Sequence, residues 1–212
     1  AALASDVLAS ATHILASIPP GDDGDPALAP EAGAILHAAP RLAWAGYLST
    51  TGVYGDLGGR WAFEWTPSAP LSVEGRRRAL AERQWLESGL PVQVFRLPGL
   101  YGPGRSAFDR LRAGDARRIV KPGQVFSRAH EDDVAAALLA STRRPNAGRI
   151  YNICDDEPAP PQDVIAYAAG LLGVAPPPEI ALADAGLSPA AQRFYAESKR
   201  VSNARAKSEL GW

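Results

Sequence analysis

Apolar residues fall along this chain in short continuous runs rather than in strict alternation. Residues 12–18 (Thr-His-Ile-Leu-Ala-Ser-Ile) form the first run, which ends at Pro19-Pro20-Gly21. That reads as a buried strand stopped by a proline turn. Asp25-Pro26 then opens an alanine-rich stretch, predicted as a helix to about Ala39 because proline is tolerated in a first helical turn. Residues 41–49 are the next predicted strand. A polar loop containing Trp61 and Trp65 follows. Residues 73–88 predict a helix closed by Gly89 and Pro91. Residues 92–97 are a third apolar run, stopped by Pro98-Gly99.

Strand, helix, strand, helix, strand implies parallel pairing with helical crossovers, hence an α/β fold. Parallel sheets are covered on both faces, which suits apolar runs without alternation. After Pro103 the elements shorten: a helix near 106–113, a strand pair near 118–127, a helix at 132–142, a strand at 149–153, a helix at 161–172 and a C-terminal helix near 198–209. Prolines 176–178 read as a linker. The expected division is a sheet domain over 1–103 and a small α+β lobe over 104–212, with segments of about 119–153 returning to the sheet.

Composition narrows the function classes. The chain has 212 residues, 46% of them apolar and 21% charged, with a formal net charge of −1. Such balance argues against a broad nucleic-acid surface. No apolar run reaches the length of a membrane span. One cysteine, Cys154, cannot build an internal disulfide framework, and a reducing cytoplasm is the expected compartment. His13, His37 and His130 are isolated, so no metal site is expected. The chain has no methionine, and it lacks the strand, Gly-rich turn and helix with which a doubly wound nucleotide-binding sheet begins. Its nearest glycine pair, Gly21-Asp22-Asp23-Gly24, has the wrong spacing and two carboxylates that repel a phosphate. The chain is therefore expected to be a piece of a longer protein, with roughly 70–90 residues upstream.

Several phrases carry a resemblance. Ser49-Thr50-Thr51-Gly52-Val53-Tyr54-Gly55-Asp56 follows the second predicted strand, and Glu74-Gly75-Arg76-Arg77-Arg78 comes about twenty residues later. Arg96-Leu97-Pro98-Gly99-Leu100-Tyr101-Gly102-Pro103, the stretch from Ser127 through His130-Glu131-Asp132-Asp133-Val134-Ala135, Tyr151-Asn152-Ile153 and Leu210-Gly211-Trp212 follow in order. Together they resemble the extended short-chain dehydrogenase/reductases, the nicotinamide-dependent epimerase/dehydratase family, in an atypical form. The resemblance implies the second half of a Rossmann-type doubly wound sheet followed by a substrate lobe. It puts Thr50 on the catalytic hydroxyl position. Glu74 stands where the family has its proton-transferring tyrosine, and Arg78 where it has the lysine that holds the nicotinamide ribose. It places Ile18 and Pro19 by the adenosine side of the cofactor, and Pro98, Gly99 and Leu100 against the nicotinamide. Tyr101, Arg105 and His130 fall at the substrate cleft. NAD or NADP is the implied cofactor and a small molecule, for instance a nucleotide sugar, the implied substrate. A homodimer is implied through the helices at 26–39 and 73–88, with Leu80, Trp85 and Leu86 supplying apolar surface.

The residues themselves leave the reaction open. Glu74 and Arg78 stand four apart on one helix, in the order that favours a solvated ion pair. The run Arg76-Arg77-Arg78 reads either as a charged helix face or as a phosphate contact. The resemblance places Tyr54 and Tyr101 in turns near the cleft, as alternative proton donors. The expected function is an NAD(P)-dependent oxidoreductase or epimerase/dehydratase. The alternative is a non-catalytic dinucleotide sensor or scaffold that keeps the fold and has lost proton transfer.

Overall fold

The computed structural model of the protein describes residues 8, 10–29 and 41–212. In chain order its regular elements are β1 (His13–Ala16), β2 (Trp44–Thr50), β3 (Trp61–Ala62), α1 (Val73–Glu87), β4 (Val92–Leu97), β5 (Gly99–Tyr101), α2 (Ala107–Ala113), β6 (Arg118–Val120), β7 (Arg128–His130) and α3 (Glu131–Arg143). The chain continues with β8 (Arg149–Asn152), α4 (Pro161–Leu172), β9 (Glu179–Ala181), α5 (Pro189–Tyr195), β10 (Arg200–Val201) and α6 (Ala204–Leu210). Of the helix predicted at 26–39, residues 26–28 form a 3-10 turn capped by Asp25, and residues 30–40 lie outside the described residues.

β1, β2, β4 and β8 form one sheet in that order, all parallel. Successive side chains point to opposite faces, so each strand feeds two cores. Ala45, Tyr47, Val92 and Val94 pack with Ala81 and Trp85 of α1 on one face. Trp44, Phe95, Leu97 and Tyr151 pack with Val134 and Ala137 of α3 and Leu210 of α6 on the other. Both faces of β2 and β4 are covered, as their uninterrupted apolar runs require, whereas β1, expected to be a buried strand, leaves His13 and Leu15 exposed. Among the described residues no helix is long and apolar enough to cross a membrane.

Helix α1 sets the distance between the sheet and the site. Ser72 caps it, its Oγ accepting from Gly75 N at 2.9 Å. Gly75 sits where a Cβ would meet the Gly52 carbonyl at 3.0 Å and Pro70 Cβ at 2.9 Å, so only glycine lets the first turn approach the end of β2 this closely. Its inward stripe contains Gly75, Glu82 and Trp85, with Arg78 half-buried on the same line.

Three further expectations need correction. The 118–127 segment is not a strand pair: β6 pairs in parallel with β9, about sixty residues later, and Phe126 makes only an isolated bridge to Ala159. The C-terminal helix starts at Ala204, because the preceding residues are drawn into β10 beside β3. Trp85 is fully buried, stacked on Tyr47 with its Nε1 donating to Asp25 Oδ2 at 2.8 Å, so it offers nothing to a second copy.

The segment ahead of β10 straps the turn that follows β2. Ser198 N donates to Asp56 Oδ1 at 2.8 Å, and the Ser198 carbonyl accepts from Leu57 N and Gly59 N. Lys199 Nζ donates to the Gly55 carbonyl at 2.7 Å, and Arg200 Nη1 donates to the Gly59 carbonyl. The Ser198 amide, above all, holds the Asp56 carboxyl below its ordinary value, with Gly58 N, Lys121 and Lys199 helping. A lowered carboxylate stabilises the fold above the unfolded value, about 3.9, and the contribution disappears as pH falls through the lower folded value. Asp56→Asn is therefore expected to lower the urea midpoint at pH 7, with the gap from the unsubstituted protein closing below about pH 4. A gap of equal size at pH 3 and pH 7 would refute the assignment.

Candidate functional site

A cleft of about 420 Å³ opens where β2 and β4 end. One wall is Thr50, Thr51 and Gly52 with Ser72 and Glu74 from the start of α1. Pro98 and Gly99 form its floor at the end of β4. Phe126, Ser127, Arg193, Phe194, Glu197, Lys199 and Val201 close it from the C-terminal part of the chain. The volume is within the usual range of small-molecule sites, roughly 300–1,000 Å³.

Thr50 is the last residue of β2 and caps the 3-10 turn Thr51–Tyr54. Its Oγ1 accepts from Gly52 N at 3.1 Å. Capping uses a hydroxyl lone pair and leaves the hydroxyl proton for an acceptor. Structural capping and donation to a bound oxygen are thus compatible at this side chain.

Glu74 lines the same cleft as Thr50 and is exposed. The ion pair expected with Arg78 is not formed. Arg78 Nη1 turns inward and donates to the Leu48 carbonyl at 2.7 Å, the Tyr47 hydroxyl at 3.2 Å and the Ile18 carbonyl at 3.4 Å. Three fixed acceptors outcompete one mobile surface carboxylate, because exposed pairs contribute only about 0–1 kcal/mol. Arg76 donates to the Leu71 carbonyl at 2.8 Å and Arg77 to Asp22 at 2.7 Å. The arginine run is therefore engaged by protein acceptors. Ile18 and Arg78 are brought together at one end of the sheet, where Ile18 and Pro19 are exposed.

The remaining predicted residues lie apart from the cleft lining. Leu100 packs against the core on the α3 side of the sheet. Tyr101 meets His130 edge-on at 5.2 Å, across the β5–β7 pair. His130 caps α3, its Nδ1 accepting from Asp132 N at 3.2 Å. Arg105 is exposed in the turn after Gly104. Burial pushes the Tyr101 phenol up to about 12, with Asp155 adding to the shift, so it stays protonated and unactivated at neutral pH. Tyr54 is fully buried with its hydroxyl donated to Asn152 Oδ1 at 2.7 Å, which removes it as a cleft donor. Burial likewise pushes the Cys154 thiol up to about 12, as for a small core residue.

Sequence reasoning missed the group that joins the walls of the site. Arg96 of β4 is buried and forks onto Glu82 of α1, with Nη2 to Oε2 at 2.7 Å and Nε to Oε1 at 3.0 Å. Ser49 Oγ donates to the same carboxylate at 2.5 Å. Arg96 also lies over the Tyr54 ring at 4.7 Å. Burial alone would lower the Arg96 value; hydrogen bonding and charge attraction from Glu82 outweigh it, and the net direction is up. A signal was present: an arginine inside an apolar strand buried on both faces requires a buried counter-charge. Also missed was Lys199, buried in the cleft wall and paired with Glu197 at 2.5 Å.

Pro98, Gly99 and Val201 offer an apolar surface for a flat ring, Thr50 offers a hydroxyl, and a side chain at Gly99 would project into open space.

No protein-family model matches the chain. It is similar to a conserved protein of unknown function from Silicibacter pomeroyi, with 53% identity and a TM-score of 0.91 over 95% of this chain and 72% of that one. It is 38% identical over 149 residues to Protein YeeZ of Escherichia coli strain K12, covering 68% of this chain and 50% of that protein. The chain thus spans about half the length of the curated relatives it matches. A putative NAD-dependent epimerase/dehydratase from Methylobacillus flagellatus is 25% identical with a TM-score of 0.66, over 99% of this chain and 74% of its own. Other structures that share the fold at 18 to 24% identity hold NAD or NADPH, and one holds UDP-glucuronic acid beside NAD. The chain belongs to one family with the Silicibacter pomeroyi protein and carries the Rossmann-type fold of the NAD-dependent epimerases and dehydratases.

Proposed function

We propose that the protein is an NAD(P)-dependent oxidoreductase of the epimerase/dehydratase type, acting on a small molecule that presents an oxygen to Thr50. The observation that carries this reading is Thr50 itself, at the end of a parallel strand and lining a cleft, with its lone pair engaged by Gly52 N and its proton available. Ligands of doubly wound sheets bind at the carboxyl ends of the strands, which is where this cleft opens.

A bound nicotinamide would supply hydride exchange with the substrate carbon. The chain supplies the rest. Pro98 and Gly99 are the surface for the ring, and Arg78 is the contact for the ribose through the part of its fork not bound to Ile18, Tyr47 and Leu48. Thr50 polarises the substrate oxygen, as hydroxyls do where charge develops in a transition state. Glu74, in the first turn of α1, is the ionisable group that exchanges the proton.

Two measurements test this. Bound NADH or NADPH should be oxidised only when a carbonyl substrate is added; stoichiometric binding without turnover across a broad carbonyl and sugar-nucleotide panel would select the sensor reading. Glu74→Gln should lower kcat by about 10²–10⁴, the usual contribution of a positioned acid or base. Unchanged turnover in that variant would remove Glu74 from the mechanism.

A further inference from the structure

The groups left uncommitted in the cleft point to its substrate class. Ser72 is used in capping α1, Ser127 Oγ accepts from Val201 N at 2.9 Å, and Lys199 and Glu197 neutralise each other at 2.5 Å. Glu74 and Arg193 remain as the charged lining residues without a salt bridge among the described residues. They come from different ends of the chain, Glu74 from the wall that holds Thr50 and Arg193 from α5. Beside Arg193, Phe194 is 54% exposed and stacks on Phe126 with ring centroids 4.2 Å apart. Phe126 is supported in turn by Tyr195, edge-on at 5.8 Å.

On the reading that this cleft is the substrate site, we infer that it takes an aromatic monocarboxylate. The ring lies on Phe194 and Phe126, the carboxylate pairs with Arg193, and the reacting oxygen reaches Thr50. Offset aromatic packing and a charge-assisted contact to a guanidinium are the two forms of recognition these side chains provide. The carboxylate of Glu74, on the wall that holds Thr50, repels the anionic end and so fixes the direction in which the ligand enters. A nucleoside diphosphate brings at least two negative charges close together. Among the described lining residues one uncommitted guanidinium faces it, so the nucleotide-sugar substrate implied by resemblance is the poorer fit.

The test is calorimetric titration of this chain, without nicotinamide cofactor, with trans-cinnamate, cinnamyl alcohol and uridine diphosphate. Cinnamate should bind more tightly than uridine diphosphate. Arg193→Ala should weaken cinnamate roughly tenfold or more, the usual effect of losing a hydrogen bond to a charged group, and leave cinnamyl alcohol unchanged. Arg193→Lys should recover part of the loss, and Phe194→Ala should weaken both aromatic ligands. Both side chains are exposed, so neither truncation threatens the core. Tighter binding of uridine diphosphate, no binding of cinnamate, or cinnamate binding indifferent to both truncations would each overturn the inference. Failure of the oxidoreductase reading appears separately, in the full-length protein, as cinnamate binding without any affinity for NADH or NADPH.

Discussion

Glu82→Ala is expected to lower the free energy of unfolding by about 3–5 kcal/mol, the cost of leaving one member of a buried ion pair without its partner. Both side chains of the Glu82–Arg96 pair are only 6% exposed, so water does not replace the lost contact. The Ser49 hydroxyl loses its acceptor in the same step. Urea unfolding should show a lower midpoint with an unchanged slope, since the surface exposed on unfolding stays the same. Replacing both partners by apolar residues, Glu82→Leu with Arg96→Met, should recover much of the loss, because the desolvation of two charges is then avoided. A cost below about 1 kcal/mol for Glu82→Ala would mean that the pair is solvated and behaves as an exposed one.

The pair also explains how the cleft keeps its shape. Glu82 belongs to α1, which begins at the Glu74 wall; Ser49 directly precedes Thr50; Arg96 lies two residues before Pro98. One carboxylate thus ties the three elements that deliver the first wall and the floor of the cleft. The Glu82→Ala variant that still folds should therefore bind small molecules in the cleft more weakly than its stability loss at working temperature accounts for.

Local signals carried most of the sheet. The apolar runs at 41–49 and 92–97 became β2 and β4, because burial on both faces leaves an unbroken apolar signature, and the run at 12–18 became the half-exposed β1. Gly89 marked the end of α1 by turn chemistry that acts within a few residues. The site was legible only on the wall made by those elements: Thr50, Glu74, Pro98 and Gly99 line the cleft. Its other wall comes from Phe126 and from residues 193–201, the latter about a hundred or more positions along the chain, where no periodicity reports the contact. Arg78 shows the same limit from another side. Its spacing from Glu74 predicted a local pair, yet three oxygens supplied by the tertiary fold took its Nη1.

Thr50→Ala is expected to reduce kcat by about 10²–10³ once a substrate is in hand, the typical loss when one donor to a developing oxyanion is removed. The same change also removes the acceptor for Gly52 N, which costs about 0.5–2 kcal/mol of cap stability. The two roles separate in Thr50→Asp. An aspartate oxygen still accepts from Gly52 N, but an ionised carboxylate has no proton to donate and repels negative charge on the substrate oxygen. That variant should keep the melting behaviour of the unsubstituted protein and be no more active than the alanine one. Thr50→Ser, which keeps lone pair and proton alike, should stay within about tenfold of the unsubstituted rate, a loss of no more than ~1.4 kcal/mol of transition-state stabilisation. If Thr50→Asp instead restores turnover together with stability, the hydroxyl acts through the turn alone. The oxygen of the substrate must then find its donor elsewhere in the cleft, where the Lys199 ammonium, held between Gly55 and Glu197, is the nearest in kind.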